Sequence, residues 1–132
     1  MYSPILVSFG RHVWLPGLIG AKPNEDRVVS GGLEAEFAEI MEQANIELAK
    51  VGMTRANIVS ARVMVVRRDS EKYPNIDEMW KAFNVVWLEA LPGRKPVRDF
   101  AEYADLCCGA CLEIVFVLAE NIMGPEEATP AA

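Results

Sequence analysis

Cys111-Leu112-Glu113-Ile114-Val115-Phe116-Val117-Leu118-Ala119 is the most apolar stretch of the chain. Valine, isoleucine and phenylalanine favour a pleated strand. Apolar residues on both faces predict a central strand, covered on each side. The continuous apolar run, Ile114 to Ala119, is far too short to cross a bilayer. One residue breaks the pattern. Glu113 carries a carboxylate into this strand, and such a group must be paired, protonated or set against a cavity.

Working outward from that strand, Val97 to Tyr103 alternates well enough for a second strand, after a basic loop from Arg94 to Pro96. Asp105 to Gly109 reads as the turn between the two. Ile76, Met79, Trp80, Phe83 and Trp87 share one face of a helix, which Leu91-Pro92-Gly93 stops. Asn57 to Arg67 is strand-like, with Val59, Ala61, Val63 and Val65 on one face and Ser60, Arg62 and Met64 on the other. Leu33, Phe37, Ile40, Met41, Ala44, Leu48 and Val51 mark an earlier helix. Glu34, Glu36, Glu39, Glu42 and Glu47 form its solvated face, Ser30 is its candidate N-cap and Gly52 its C′ residue. At the start, Ile5 to Phe9 and His12 to Leu15 read as two short strands about a Gly10-Arg11 turn, and Pro16-Gly17 ends the second.

The order is therefore β-β-α-β-α-β-β. Two strand–helix–strand crossovers demand a mixed α+β sheet with both helices on one face. The other sheet face is left bare and is the natural site of an oligomer contact. A chain of 132 residues, 52% of them hydrophobic, is expected to make one domain over residues 1–123, with a flexible tail over 124–132.

The formal net charge is −6, which opposes nucleic acid and anionic membrane surfaces. No secretory signal pattern is visible, so a cytoplasmic location is expected. Cys107, Cys108 and Cys111 are odd in number and lack a second ligand pair, so neither a disulfide framework nor a structural zinc site is expected. They read as small residues near a turn, with a reactive thiol if one is exposed. His12 is the only histidine, so a site built on two histidines is excluded. Trp14, Trp80 and Trp87 read as core or interface aromatics.

Two residues could carry chemistry. Arg98 at a strand start is either a surface charge or a fork gripping a carboxylate through parallel hydrogen bonds. Glu113 is either half of an ion pair or a general acid/base.

Three stretches taken together resemble one family. They are Gly10 to Gly17, then Asn45 to Val66 with Leu48, Gly52 and Asn57-Ile58-Val59, and then Pro96-Val97-Arg98 followed by Leu112-Glu113-Ile114. Arg98 and Glu113 stand fifteen positions apart, the family's ungapped spacing. From about Tyr2 to Ala119 the chain resembles the RidA/YjgF family of reactive-intermediate imine deaminases. The resemblance implies a chorismate-mutase-like fold, a homotrimer whose sheets close a barrel with helices outside, and active sites in clefts between subunits. It implies that Arg98 holds the carboxylate of a 2-imino or enamine acid and that Glu113, with backbone groups, positions the attacking water. The products would be a 2-keto acid and ammonia, with no metal or cofactor.

By the same resemblance Tyr2, Pro16, Gly17, Phe100 and Asp77 surround the substrate. Pro16 replaces the family's serine, Asp77 its asparagine and Phe100 its cysteine, while Leu106-Cys107 stands where the family has Leu-Pro. The alternative reading is a non-catalytic trimer that binds a small carboxylate or 2-keto acid at Arg98. A nuclease role, also attributed to the family, is opposed by the net charge.

Overall fold

The computed structural model of the chain describes residues 2–91 and 93–128. Five strands form one sheet: β1 (Val7–Trp14), β2 (Leu18–Ile19), β3 (Ile58–Val65), β4 (Val97–Glu102) and β5 (Leu112–Met123). The order is β1-β5-β3-β4, and β2 also pairs with β5. β3 and β4 run parallel, while every other pairing is antiparallel. β5 is thus central, as its double-sided apolarity predicts. Its residues Leu112, Ile114, Phe116 and Leu118 are fully buried, beneath two helices, α1 (Gly32–Lys50) and α2 (Ile76–Ala90).

The apolar spacing of α1 buries Leu33, Phe37, Ile40, Met41, Ala44 and Leu48. Its end is locked by two backbone bonds, Gly52 N–H to Ala49 O at 3.2 Å and Met53 N–H to Leu48 O at 3.0 Å. That pair is the Schellman pattern, with Gly52 at C′ as expected. α2 starts on Asn75, whose side-chain oxygen accepts from Glu78 N–H at 3.0 Å and so satisfies one free first-turn donor. Phe37 meets Phe83 edge-to-face with ring centroids 5.5 Å apart, tying α1 to α2. Pro92, expected to stop α2, lies outside the described residues.

Several expectations are corrected. Gly10-Arg11 makes no reversal, because β1 continues along β5 with one extra residue between Phe9, opposite Asn121, and His12, opposite Ala119. Gly10 takes φ +86, the conformation that lets a strand bulge without turning back. The second strand is Leu18–Ile19, after Pro16-Gly17 rather than before it. Ser30 does not cap α1; Gly31 holds the N-cap position in a left-handed conformation with no side-chain bond. Val59 does not share a face with Ala61, because a second bulge between Ile58 and Ser60 puts Ile58 on the core face instead. Trp80 is half-buried and lies outside the core cluster. Glu36 is not solvated and is only 4% exposed.

Of the tail expected over 124–132, Pro125–Ala128 form a single helical turn, α3, whose Glu127 pairs with Arg94. Residues 129–132 lie outside the described residues.

The sheet face away from α1 and α2 carries Phe9, Trp14, Met64, Val97, Val115 and Val117. Their shared side follows from the register, in which Val117 stands opposite both Trp14 and Ser60, and Ser60 opposite Val97. Trp14 is 69% exposed. The bare face thus exposes apolar side chains, as the two-layer topology predicts, interspersed with Ser60, the Arg62–Asp99 pair and Glu113.

Candidate active site

Arg98 lies in β4, the outer strand beyond β3, opposite Ala61. Ala61 in turn faces Phe116 of β5, so the register sends the Arg98 side chain to the helix-covered side. There its guanidinium carbon sits 5.1 Å from the Trp87 ring centroid, 5.4 Å from Phe83 and 5.5 Å from Tyr2. Three π-faces therefore hold one cation, and each such contact stabilises by about 0.5–2 kcal/mol. Nε and Nη1 are buried with no hydrogen-bond partner. Burial lowers the Arg98 pKa from its ordinary value, yet a guanidinium remains charged at neutral pH. Arg98 as a whole is half-buried, so part of its charge stays open to an anion, which would gain a charge-assisted hydrogen bond there.

The third ring comes from the N-terminal segment. Ser3 donates its N–H to Pro96 O at 3.1 Å and its hydroxyl to Lys95 O, which lays Tyr2 across the start of β4. Beside it runs a cleft of about 440 Å³ lined by Tyr2, Ser60, Arg62, Arg98, Asp99 and Val117 among others. A larger cavity of about 660 Å³ lies at the C-terminal ends of α1 and α2, where the cations are already engaged. Arg55 bonds Asn45 and Ala90 O, and Arg94 bonds Glu127. Of these two cavities, the smaller is lined by Arg98, which has no ion-pair partner among the described residues.

Glu113 stands opposite Met64 of β3 and Ile19 of β2. It alternates with the buried Leu112 and Ile114, so its side chain leaves on the bare face. It is half-buried, and a Cβ at Gly17 would collide with its carboxylate. Only glycine lets the backbone approach this closely. The Cys107 thiol has its pKa raised by its neighbour Cys108, then by burial and the Glu113 charge.

The remaining expected residues separate. Pro16 and Gly17 are exposed beside Glu113. Phe100 stacks on Phe83 at 5.6 Å, and so supports the Arg98 box from within the core edge. Asp77 is exposed in the first turn of α2, where the helix dipole favours a negative charge. Arg98, Tyr2 and Phe100 thus gather at the β4 edge, and Glu113, Pro16 and Gly17 gather at β2 and β5.

Four residues gain significance only in the fold. Phe83 and Trp87 read as plain core residues from their helical spacing, yet they wall the Arg98 cation. Asn84 is buried with neither amide atom partnered, and its position on α2 gave no signal. Glu36 accepts from Cys111 N–H at 2.9 Å and from Cys111 Sγ at 3.0 Å. Its spacing was the available clue, for it stands three positions from Leu33 and four from Ile40, both of them buried. Burial, followed by the Glu36 contact, pushes the Cys111 thiol well above the ordinary range.

Among the described residues, no group of three or more His, Cys, Asp or Glu could hold a metal ion. No helix is long and apolar enough to cross a membrane.

The family model described as Endoribonuclease L-PSP matches residues 1–120. No curated protein matches the sequence. Among solved structures, the chain is similar to RidA from the Antarctic bacterium Psychrobacter sp., with 20% identity and TM-score 0.69, covering 86% of this chain and 85% of that one. It is similar to YyfA of the Rid family from Yersinia pestis, at 20% identity and TM-score 0.69, covering 90% of each. Yeast Mmf1 is 21% identical with TM-score 0.69, covering 86% of this chain and 82% of its own. The five-strand mixed sheet with its two covering helices is the fold these proteins share.

Proposed function

Because the chain belongs to the Endoribonuclease L-PSP family, also named RidA or YjgF, we propose that it hydrolyses reactive 2-imino or enamine carboxylates to 2-keto acids and ammonia. The observation that carries this reading is the Arg98 guanidinium, half-buried among three aromatic rings and lining a cleft with no ion-pair partner among the described residues. A substrate carboxylate entering the cleft beside Arg98 would supply the counter-charge that no carboxylate among the described residues gives it. Glu113, held against Gly17, orients water toward the imine carbon and takes its proton, leaving a carbinolamine that collapses to the keto acid and releases ammonia. Nothing in this sequence of steps needs oxidation or reduction.

Within one chain the two residues point to opposite sheet faces. The reading therefore includes assembly: three copies bury their bare apolar faces against one another, and the Arg98 cleft of one subunit is completed by Glu113 of the next. The apolar residues of the bare face, Trp14 foremost, support that assembly. A second reading is favoured by the same separation. If copies do not bring the two groups together, Arg98 binds a small carboxylate without turnover.

The test is release of 2-keto acid from a 2-imino acid generated in situ by an amino acid oxidase. Acceleration over buffer that vanishes in Arg98→Ala supports the deaminase. A keto acid that raises Tm through Arg98 while no imine is turned over selects the binding reading. RNA cleavage or salt-steep RNA binding, against a net charge of −6, would overturn both.

A further inference from the structure

Cys107 and Cys108 occupy consecutive positions of a one-turn 3-10 segment, Cys107–Gly109. Cys107 is exposed and Cys108 half-buried, and both are free thiols. Cys108 takes φ 61 and ψ 22, a left-handed conformation uncommon outside glycine. The turn is closed by Ala110 N–H to Cys107 O at 3.0 Å and clamped from outside by Val28 N–H to Cys108 O at 3.2 Å. The Arg27 guanidinium packs over Gly109. The third thiol takes no part, since Cys111 Sγ is buried and donates to Glu36.

We propose that Cys107 and Cys108 form a vicinal dithiol site for a trivalent arsenical, on the turn that leads into β5 and Glu113. Its effect on turnover rests on the functional reading above; the binding itself does not. Adjacent residues joined by a trans peptide have Cα atoms about 3.8 Å apart, closer than the roughly 4.4–6.8 Å that unstrained disulfides span. Direct S–S closure is therefore strained, and the pair persists as two thiols. Bridging by one larger atom removes that constraint. The neighbouring Cys108 thiol, ahead of burial and the Glu113 charge, raises the Cys107 pKa. A small thiolate fraction slows attack on hydroperoxides and leaves both groups for a soft electrophile that accepts two sulfurs. No group of three or more metal-ligating side chains exists among the described residues, which disfavours a four-coordinate ion such as zinc.

The reaction with phenylarsine oxide balances without redox change. Two As–S bonds replace the arsenic–oxygen bond, the oxygen leaves with both thiol protons as water, and arsenic stays trivalent. The probe is phenylarsine oxide on the full-length chain, followed by intact-mass spectrometry and by keto acid release.

One equivalent should bind, survive washing with a monothiol and leave with 1,2-ethanedithiol. Cys107→Ser and Cys108→Ser should each lose the adduct in the monothiol wash. Two variants guard against misfolding at the strained Cys108, since Cys107 is exposed. No adduct on the wild-type chain, or retention in either variant, overturns the site. An adduct that leaves turnover intact overturns the link to Glu113. An adduct on a chain with no deaminase activity upholds the site and counts against the deaminase reading alone.

Discussion

Arg98 and Glu113 leave opposite faces of one sheet. Arg98 lies opposite Ala61 on the helix-covered side, and Glu113 opposite Met64 on the bare side. With β3 between their strands and a three-residue offset along β5, their Cα atoms stand about 14 Å apart. A cation that binds substrate and a carboxylate that activates water cannot meet on one substrate within a single chain. The proposed deaminase reading therefore needs a neighbouring copy to bring the two groups together.

Trp14→Glu should therefore separate assembly from fold. A charge on the most exposed apolar residue of the bare face opposes burial there and leaves the helix-side core untouched. Light scattering should report a monomer, circular dichroism an intact fold, and keto acid release a loss of at least about 100-fold. A fully active monomer would refute the shared site.

Arg98→Met should uncouple stability from function. The guanidinium is buried among aromatic rings with two donors idle, and an apolar chain of similar length removes that desolvation cost. Urea unfolding should show stability raised by about 1 kcal/mol, while the Tm rise caused by a 2-keto acid disappears. A strongly destabilised Arg98→Met would show that the cation serves the fold instead.

Glu113→Gln should lower kcat by about 10²–10⁴-fold, the range of a lost general base. Binding of 2-keto acid should persist, since in the proposed site Arg98, not Glu113, holds the ligand's carboxylate. Equal loss of binding and turnover in thermal-shift and rate assays would assign Glu113 to the ligand pocket rather than to proton transfer.

The Cys111 thiol has its pKa raised by burial and then by Glu36. In the unfolded chain it ionises near pH 8.5. Its contribution is fully present below that value, and it is lost progressively as pH rises toward the folded-state pKa, because only the unfolded chain then releases the proton. Unfolding free energy should fall between pH 8.5 and 10 by up to about 1.4 kcal/mol per pH unit. Cys111→Ala should flatten that slope. An unchanged slope in chemical denaturation would show that the thiol is not what titrates.

Periodicity carried the core into view. The spacing of Leu33, Phe37, Ile40 and Leu48 and the uninterrupted apolarity of Leu112 to Ala119 require a buried helix face and a central strand, because burial of apolar area is local to those side chains. Ordered motifs also exposed Arg98 and Glu113 as the unusual groups. The Gly10 bulge and the Ile58–Ser60 bulge were not legible, since a bulge exists only relative to a partner strand. Each interrupts the alternation where it occurs, which is why Ile58 rather than Val59 joins Ala61, Val63 and Val65 in the core. Glu36 was misplaced for a related reason. Its helical position abuts the core, but the donors that make its burial tolerable come from Cys111, distant in sequence. The aromatic box about Arg98 joins Tyr2, Phe83 and Trp87 from the N-terminal segment and α2, and no local pattern relates them.

By itself, then, the sequence determined an α+β sheet with its central strand and helix faces, and it set Arg98 and Glu113 apart as unusual groups. All of these follow from short-range spacing and from the cost of burying charge. Tertiary structure alone decided that Arg98 is held by rings beside a cleft, that Glu113 lies on the opposite face against Gly17, and that Asp77 stands apart. Facing and distance are set by strand pairing, in which residues far apart in sequence share one register.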